Sequence, residues 1–180
     1  TTDAILRYPA ACCGEYSLSR LGKVSDDDIN DKTTEIYFNQ IVRDVLGALQ
    51  AGMAVTKSVT VIEQLDSSLA RVIGREKAFY DLVSCVGQNA IEACEDKDSV
   101  TFETSYTDNL RVLLTISDTG CGMSEDRKRT CVRPFVTTKS ERGGGLGLTI
   151  AMRIVQHHGG RLSISTQHGI GTTVKISIPV

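Results

Sequence analysis

The sequence predicts an α+β protein: a two-layer α/β sandwich whose mixed, mostly antiparallel sheet carries its helices on one face. Apolar residues recur at helical spacing in three separate windows. Between those windows, β-rich runs come two at a time, unlike the β-α-β-α alternation of a doubly wound parallel sheet. The length, 180 residues, suits one domain with a full core and is cramped for two.

The elements follow in order. Residues 1–31 have little periodicity, and Pro9, Gly14, Gly22 and the run Asp26-Asp27-Asp28 read as loop or linker. Phe38, Ile41, Val42, Val45, Leu46 and Leu49 mark the apolar face of a first helix, which Gly52 ends. Residues 59–61 read as a strand and residues 70–73 as the second of that pair, ending at Gly74. A second helix presents Phe79, Leu82, Val83, Val86, Ala90 and Ala93 on one face. Residues 100–106 and 110–117 are strands joined hairpin-fashion at Thr107-Asp108-Asn109. Residues 118–147 are Gly-rich, charged and irregular. A third helix covers about 146–157, with Ile150, Ile154 and Val155 inward and Gly159-Gly160 as its stop. Residues 161–165 and 172–178 are the last strands, with a turn at 169–171.

Charge and cysteine usage narrow the function classes. There are 20 Lys and Arg against 22 Asp and Glu, a net charge of −2, so bulk capture of nucleic acid or anionic lipid is not expected. No apolar stretch approaches the length of a membrane span, and no secretory signal opens the chain. The expectation is a cytoplasmic segment with no membrane contact of its own. The first residue is Thr, which fits an excised part of a longer protein. Among the six cysteines no C-x-x-C occurs, so neither a zinc site nor a dithiol motif is expected, and reduced thiols are.

Four clusters carry chemistry. Asn89 borders the buried face of the second helix, where its amide needs hydrogen-bond partners; a helix Asn satisfied by a backbone carbonyl is the plainer reading. Asp118 opens Asp118-Thr119-Gly120-Cys121-Gly122 and shares strand parity with Val112, Leu114 and Ile116. If those face the core, so does its carboxylate, ready to accept from a buried donor such as an exocyclic amino group; an Asx turn is the alternative. The two glycines allow close backbone approach to a ligand. Gly143-Gly144-Gly145-Leu146-Gly147-Leu148 leads into the third helix and offers free N–H groups and a positive dipole end, which suit phosphate. It is neither a P-loop nor a G-x-G-x-x-G fingerprint, and a flexible loop remains the alternative. Thr172 follows Gly169-Ile170-Gly171 and shares parity with Val174, Ile176 and Ile178, so its hydroxyl points into the same interior as Asp118; a plain hairpin turn is the alternative.

Together, in this order, the clusters make the sequence resemble the ATP-binding domain of sensor histidine kinases, in the superfamily shared with gyrase, heat-shock chaperones and mismatch-repair ATPases. Asn89 matches the N box, and Asp118, Gly120 and Gly122 the first glycine box. Pro134-Phe135-Val136-Thr137-Thr138-Lys139 matches the phenylalanine box, Gly143 to Leu148 the second glycine box, and Gly169 to Thr172 the closing one. The resemblance covers about 35–180, leaving 1–34 as a linker or the end of a preceding helical domain. It implies ATP and Mg²⁺ as cofactors, with Asn89 holding the metal through its side-chain oxygen. It implies that Asp118, with Thr172 and a water, meets the adenine amino group. Gly120 and Gly122 would let the base sit tight, with Met123 and Leu148 as apolar packing and Ala93 also in contact. Residues 123–142 would form a lid anchored by Phe135. Gly143, Gly144, Gly145, Leu146 and Gly147 would cradle phosphate, with Thr138, Lys139 and Arg142 as further partners, although solvated charge is an alternative for Lys139 and Arg142.

Two departures shape the functional expectation. Histidine kinases usually carry a second Asn four residues before the N-box Asn, and hydrolysing relatives carry a Glu there that activates water. This chain has Cys85, which disfavours a dedicated ATPase. No histidine precedes His157, and His157-His158 end a helix, where such residues are structural. The expected function is therefore donation of the γ-phosphoryl group of Mg-ATP to a histidine on a separate dimerisation and phosphoacceptor domain, with a response regulator as indirect partner. The alternative is a nucleotide-binding regulatory module that controls docking without phosphotransfer. No group of this segment is expected to act as a covalent catalyst.

Overall fold

The computed structural model describes residues 6–7, 33–53, 58–69, 71–107, 110–131 and 147–180. Eight strands and four helices appear among them: β1 (Leu6–Arg7), β2 (Thr34–Ile36), α1 (Phe38–Met53), β3 (Thr60–Leu65), β4 (Val72–Gly74), α2 (Glu76–Ala93), β5 (Ser99–Thr107), β6 (Arg111–Asp118), α3 (Glu125–Thr130), α4 (Gly147–His157), β7 (Arg161–Gln167) and β8 (Gly171–Pro179). The main sheet has the order β1-β7-β8-β6-β5-β3, antiparallel throughout except where β3 runs parallel to β5. This is the two-layer, mostly antiparallel architecture the sequence predicts.

Alternation builds the inner face of the sheet. Val100 and Phe102 of β5, Val112, Leu114 and Ile116 of β6, Leu162 and Ile164 of β7, and Val174, Ile176 and Ile178 of β8 are all buried. The helices meet them with the residues at three- and four-residue spacing: Ile41, Val42 and Val45 of α1, and Phe79, Leu82, Val83 and Val86 of α2. Phe79 is fully buried, with its ring edge-on to Phe38 at 5.6 Å between centroids and against the His158 ring at 4.5 Å. His158 Nδ1 lies 2.8 Å from the Ile154 carbonyl, which fixes the proton on that nitrogen. The histidine at the end of α4 is therefore structural, as expected, and His168 is exposed.

Several details differ from the sequence reading. β4 is not the partner of β3. It pairs with β2, a three-residue strand with no periodic signal of its own, in a separate two-stranded sheet. β3 instead joins the main sheet beside β5, across the intervening α2. Leu6–Arg7, within the stretch read as loop or linker, pairs with Ile164 and Ser163 of β7. α3 lies inside the stretch read as irregular. It has no apolar stripe and depends on its ends: Ser124 caps it by accepting from the Arg127 N–H, acidic Glu125 and Asp126 open it, and basic Lys128 and Arg129 close it. On α4 the buried positions are Ala151, Met152 and Val155; Ile154 packs on the core from a half-buried position, and Ile150 is only half-buried. Asp108 and Asn109 of the hairpin join, and Ala70, lie outside the described residues.

Phe79→Ala removes a ring that joins α1, α2 and the end of α4. We expect it to lower unfolding free energy by about 3–5 kcal/mol, read as a reduced midpoint in urea with an unchanged slope.

Candidate functional site

Asp118 ends β6, and its parity turns it towards the helix layer below Ile116, where it is half-buried. Its register partner across the sheet is Thr172 of β8, and Thr172 in turn pairs with Thr166 of β7. The three residues form one rung. Asp118 Oδ1 accepts from the Gly120 N–H at 3.1 Å and the Thr172 N–H at 3.2 Å. Burial pushes the Asp118 carboxyl above the ordinary aspartate range; these two N–H groups oppose that shift, and the charge of Asp98 adds to it. A carboxylate held this way has one oxygen engaged by backbone and can accept from a ligand donor through the other.

The glycines of the Asp118 loop serve the packing of the protein itself. A Cβ on Gly120 would strike the backbone carbonyl of Ala93, and one on Gly122 would strike that of Gln167. Gly122 also has φ +60°. The close approach they permit is thus to the protein's own backbone. The loop is pinned there: Cys121 N–H donates to the Ala93 carbonyl at 3.0 Å, Gly169 N–H to the Cys121 carbonyl at 2.8 Å, and Thr119 N–H to the Ser99 carbonyl at 3.1 Å. Ala93 therefore meets the Asp118 loop through its carbonyl. Met123 is half-buried against the core, and its N–H donates to Thr166 Oγ1 at 2.9 Å.

α2 links this cluster to the start of α4. Asn89 lies one turn before Ala93 and is half-buried. Gly147, the first residue of α4, packs on it: a Cβ there would sit 3.3 Å from Asn89 Nδ2 and 3.8 Å from Oδ1. Leu148 packs half-buried on the core. The sequence-predicted residues Asn89, Ala93, Asp118, Gly120, Gly122, Met123, Gly147, Leu148 and Thr172 thus fall on α2, the end of β6 and the loop after it, the start of α4 and β8. Thr138, Lys139, Arg142, Gly143, Gly144, Gly145 and Leu146, with Phe135 and residues 132–142 of the expected lid, lie outside the described residues.

Cys85 sits one turn before Asn89, half-buried, and burial with the nearby charge of Asp81 pushes its thiol above the ordinary range. It stays protonated near neutrality and is no general base. Among the described residues Cys85, Cys94, Cys121 and Cys131 form no disulfide; the Cys94 and Cys131 thiols donate to the Ser99 and Lys128 carbonyls. Among the described residues no group of three or more His, Cys, Asp or Glu side chains could hold a metal ion. None of their helices is long and apolar enough to cross a membrane. Thr166 was not singled out in the sequence, yet its parity with Leu162 and Ile164 is the same signal that pointed to Asp118 and Thr172.

Comparison with known proteins gives the family and the fold. Residues 74–180 match the family "Histidine kinase-, DNA gyrase B-, and HSP90-like ATPase", so the chain belongs to that class of ATPases and kinases. Within it, the similarity runs to sensor histidine kinases. Sporulation kinase E of Bacillus subtilis (strain 168) is 31% identical over 149 residues, covering 81% of this chain and 20% of that protein. The catalytic domain of histidine kinase ThkA superposes with a TM-score of 0.73 at 23% identity, covering 82% of this chain and 95% of that one. ThkA in complex with response regulator protein TrrA gives a TM-score of 0.68 at 21% identity, covering 82% of this chain and 41% of that one. The chain spans about a fifth to a quarter of the length of the first curated relatives.

A carboxyl with a raised folded-state pKa binds its proton more tightly in the fold than in the unfolded chain. It therefore adds stability at low pH and loses that contribution as pH rises through the folded value. Without nucleotide, the melting temperature of Asp118→Asn relative to wild type should rise as pH goes from about 4 to 7. A difference that shrinks over that range would contradict the assigned burial effect.

Proposed function

We propose that residues 35–180 form the ATP-binding catalytic domain of a sensor histidine kinase, which donates the γ-phosphoryl group to a histidine on a separate dimerisation and phosphoacceptor domain of the longer protein. Residues 1–34 then form a linker from the preceding domain, within which Leu6–Arg7 adds a short edge strand to the sheet. The observation that carries this reading is the joint arrangement of Asp118 and Thr172 on one rung and Asn89 against the first residue of α4, linked through α2.

Each part has a task that its chemistry suits. Asp118 accepts from the adenine amino group, with Thr172 beside it. Met123 and Leu148 supply apolar surface to the base, and Ala93, Gly120 and Gly122 hold the wall behind it. Gly147 begins a helix of eleven residues whose N-terminal N–H groups and dipole favour phosphate oxygens. On the match to the family's glycine and phenylalanine boxes, Gly143, Gly144, Gly145 and Leu146 are assigned to phosphate binding with Thr138 and Lys139, all six outside the described residues. A half-buried amide oxygen on Asn89, with no all-protein carboxylate cage among the described residues, suits Mg²⁺, which takes oxygen ligands and shares itself with phosphates and water. When bound, the ion neutralises phosphate charge.

Transfer rests on positioning and electrostatics, without a covalent intermediate on this segment. The bond from the γ-phosphorus to its bridging oxygen breaks, ADP keeps that oxygen, and a phosphorus–nitrogen bond forms to the acceptor imidazole. A neutral thiol at Cys85 leaves no base there to activate water, which supports transfer over hydrolysis. The complex of ThkA with a response regulator supports a regulator as the next recipient of the phosphoryl group.

With the acceptor domain supplied and γ-labelled ATP present, label should appear on the acceptor histidine, and Asn89→Ala should lower its rate on the order of 100-fold. ATP binding without any label on the acceptor would favour the regulatory-module reading, which the replacement at Cys85 motivates.

A further inference from the structure

Thr166 is the third residue of the Asp118–Thr172 rung. Its hydroxyl is half-buried and meets three groups. Met123 N–H donates to Oγ1 at 2.9 Å, the Gly171 carbonyl lies 3.1 Å away, and the Thr172 hydroxyl 3.0 Å away. We propose that Thr166 is a positioning residue for base selection: it holds the Thr172 hydroxyl as an acceptor, so that the rung accepts a 6-aminopurine and rejects a 6-oxopurine. This rests on the nucleotide-binding reading above.

The proton count decides the assignment. A threonine hydroxyl has one proton and two lone pairs. The Met123 N–H can only donate, so it takes one lone pair of Thr166. The Gly171 carbonyl can only accept, so it takes the proton. The Thr172 hydroxyl then finds only a lone pair, and must donate to it. That arrangement makes three hydrogen bonds. If Thr166 donated to Thr172 instead, the Gly171 carbonyl would lose its bond and only two would remain. At about 1 kcal/mol for each net bond, the first arrangement dominates.

Thr172 is thereby left with lone pairs and no proton to offer a ligand. Asp118 is an acceptor as well, with Oδ1 already taken by two backbone N–H groups. The polar end of the base site is therefore made of acceptors. An exocyclic amino group, or a water that donates to both, satisfies it. A carbonyl oxygen in the same position meets only acceptors and leaves them unpaired. Removing the Thr166 hydroxyl frees Thr172 to turn its proton outwards, and the discrimination weakens.

The test titrates the full 180-residue chain with ATP and with inosine triphosphate at fixed Mg²⁺, comparing wild type with Thr166→Val and Thr166→Ser. Thr166→Val should shrink the ATP-to-inosine-triphosphate affinity ratio by about tenfold, and Thr166→Ser should restore it. Because Thr166 acts through Thr172, adding Thr166→Val to Thr172→Val should leave the ratio where Thr172→Val alone sets it. If valine is not tolerated, Thr166→Ala serves the same comparison. Equal loss of affinity for both nucleotides, with the ratio unchanged, overturns the proposal and leaves nucleotide binding standing. No ATP binding by the folded wild type overturns both.

Discussion

Burying a carboxylate at the end of a strand costs free energy unless donors meet its oxygens, and the fold around Asp118 is arranged to meet that demand. The β6–β8 register sets the Thr172 N–H against it, and the turn after β6 brings back the Gly120 N–H. Both go to the same oxygen. The arrangement works only if the loop after β6 folds tightly onto the end of α2. Gly120 and Gly122 permit that, because any side chain there would collide with a backbone carbonyl. The carboxyl remains harder to ionise than a solvated one, because the two donors do not fully offset its burial.

The same loop couples the two halves of the site. Its hydrogen bond to the Ala93 carbonyl fixes the last turn of α2 relative to the sheet. One turn earlier, Asn89 touches the first residue of α4. A single rigid helix therefore relates the polar rung to the helix start suited to phosphate. At its other end α4 is held by His158, packed on Phe79 of α2. These contacts with α2, at the start of α4 and just past its end, bracket the packing of the two helices that keeps the α4 start beside Asn89.

Much of this was legible in the sequence, for physical reasons. α1, α2 and α4 have apolar stripes, and β5 to β8 alternate cleanly, because each buries one face on a common core. Strand parity alone turned Asp118 and Thr172 inwards. Pairing across distance was not legible: β3 lies parallel to β5 and β2 pairs with β4, and neither strand carries a mark of its partner. α3 was hidden because caps and end charges hold it, not an apolar face. Gly120 and Gly122 stand out in the sequence as places where backbone can approach a ligand closely. The spacing could not say that what approaches is the protein's own backbone. Thr166 carried the same parity signal as its neighbours on the rung but stood outside any glycine motif.

We propose that Asp118, Asn89, Gly147 and Thr172 form one nucleotide site. Amide chemical shifts of the folded chain, followed by NMR during titration with a non-hydrolysable Mg-ATP analogue, test it most directly. Saturable shifts are expected at Asn89, Gly120, Gly147 and Thr172 that titrate with a single affinity, and that Asp118→Asn abolishes together. Binding that leaves these four amides unmoved, or that survives Asp118→Asn unchanged, would contradict it.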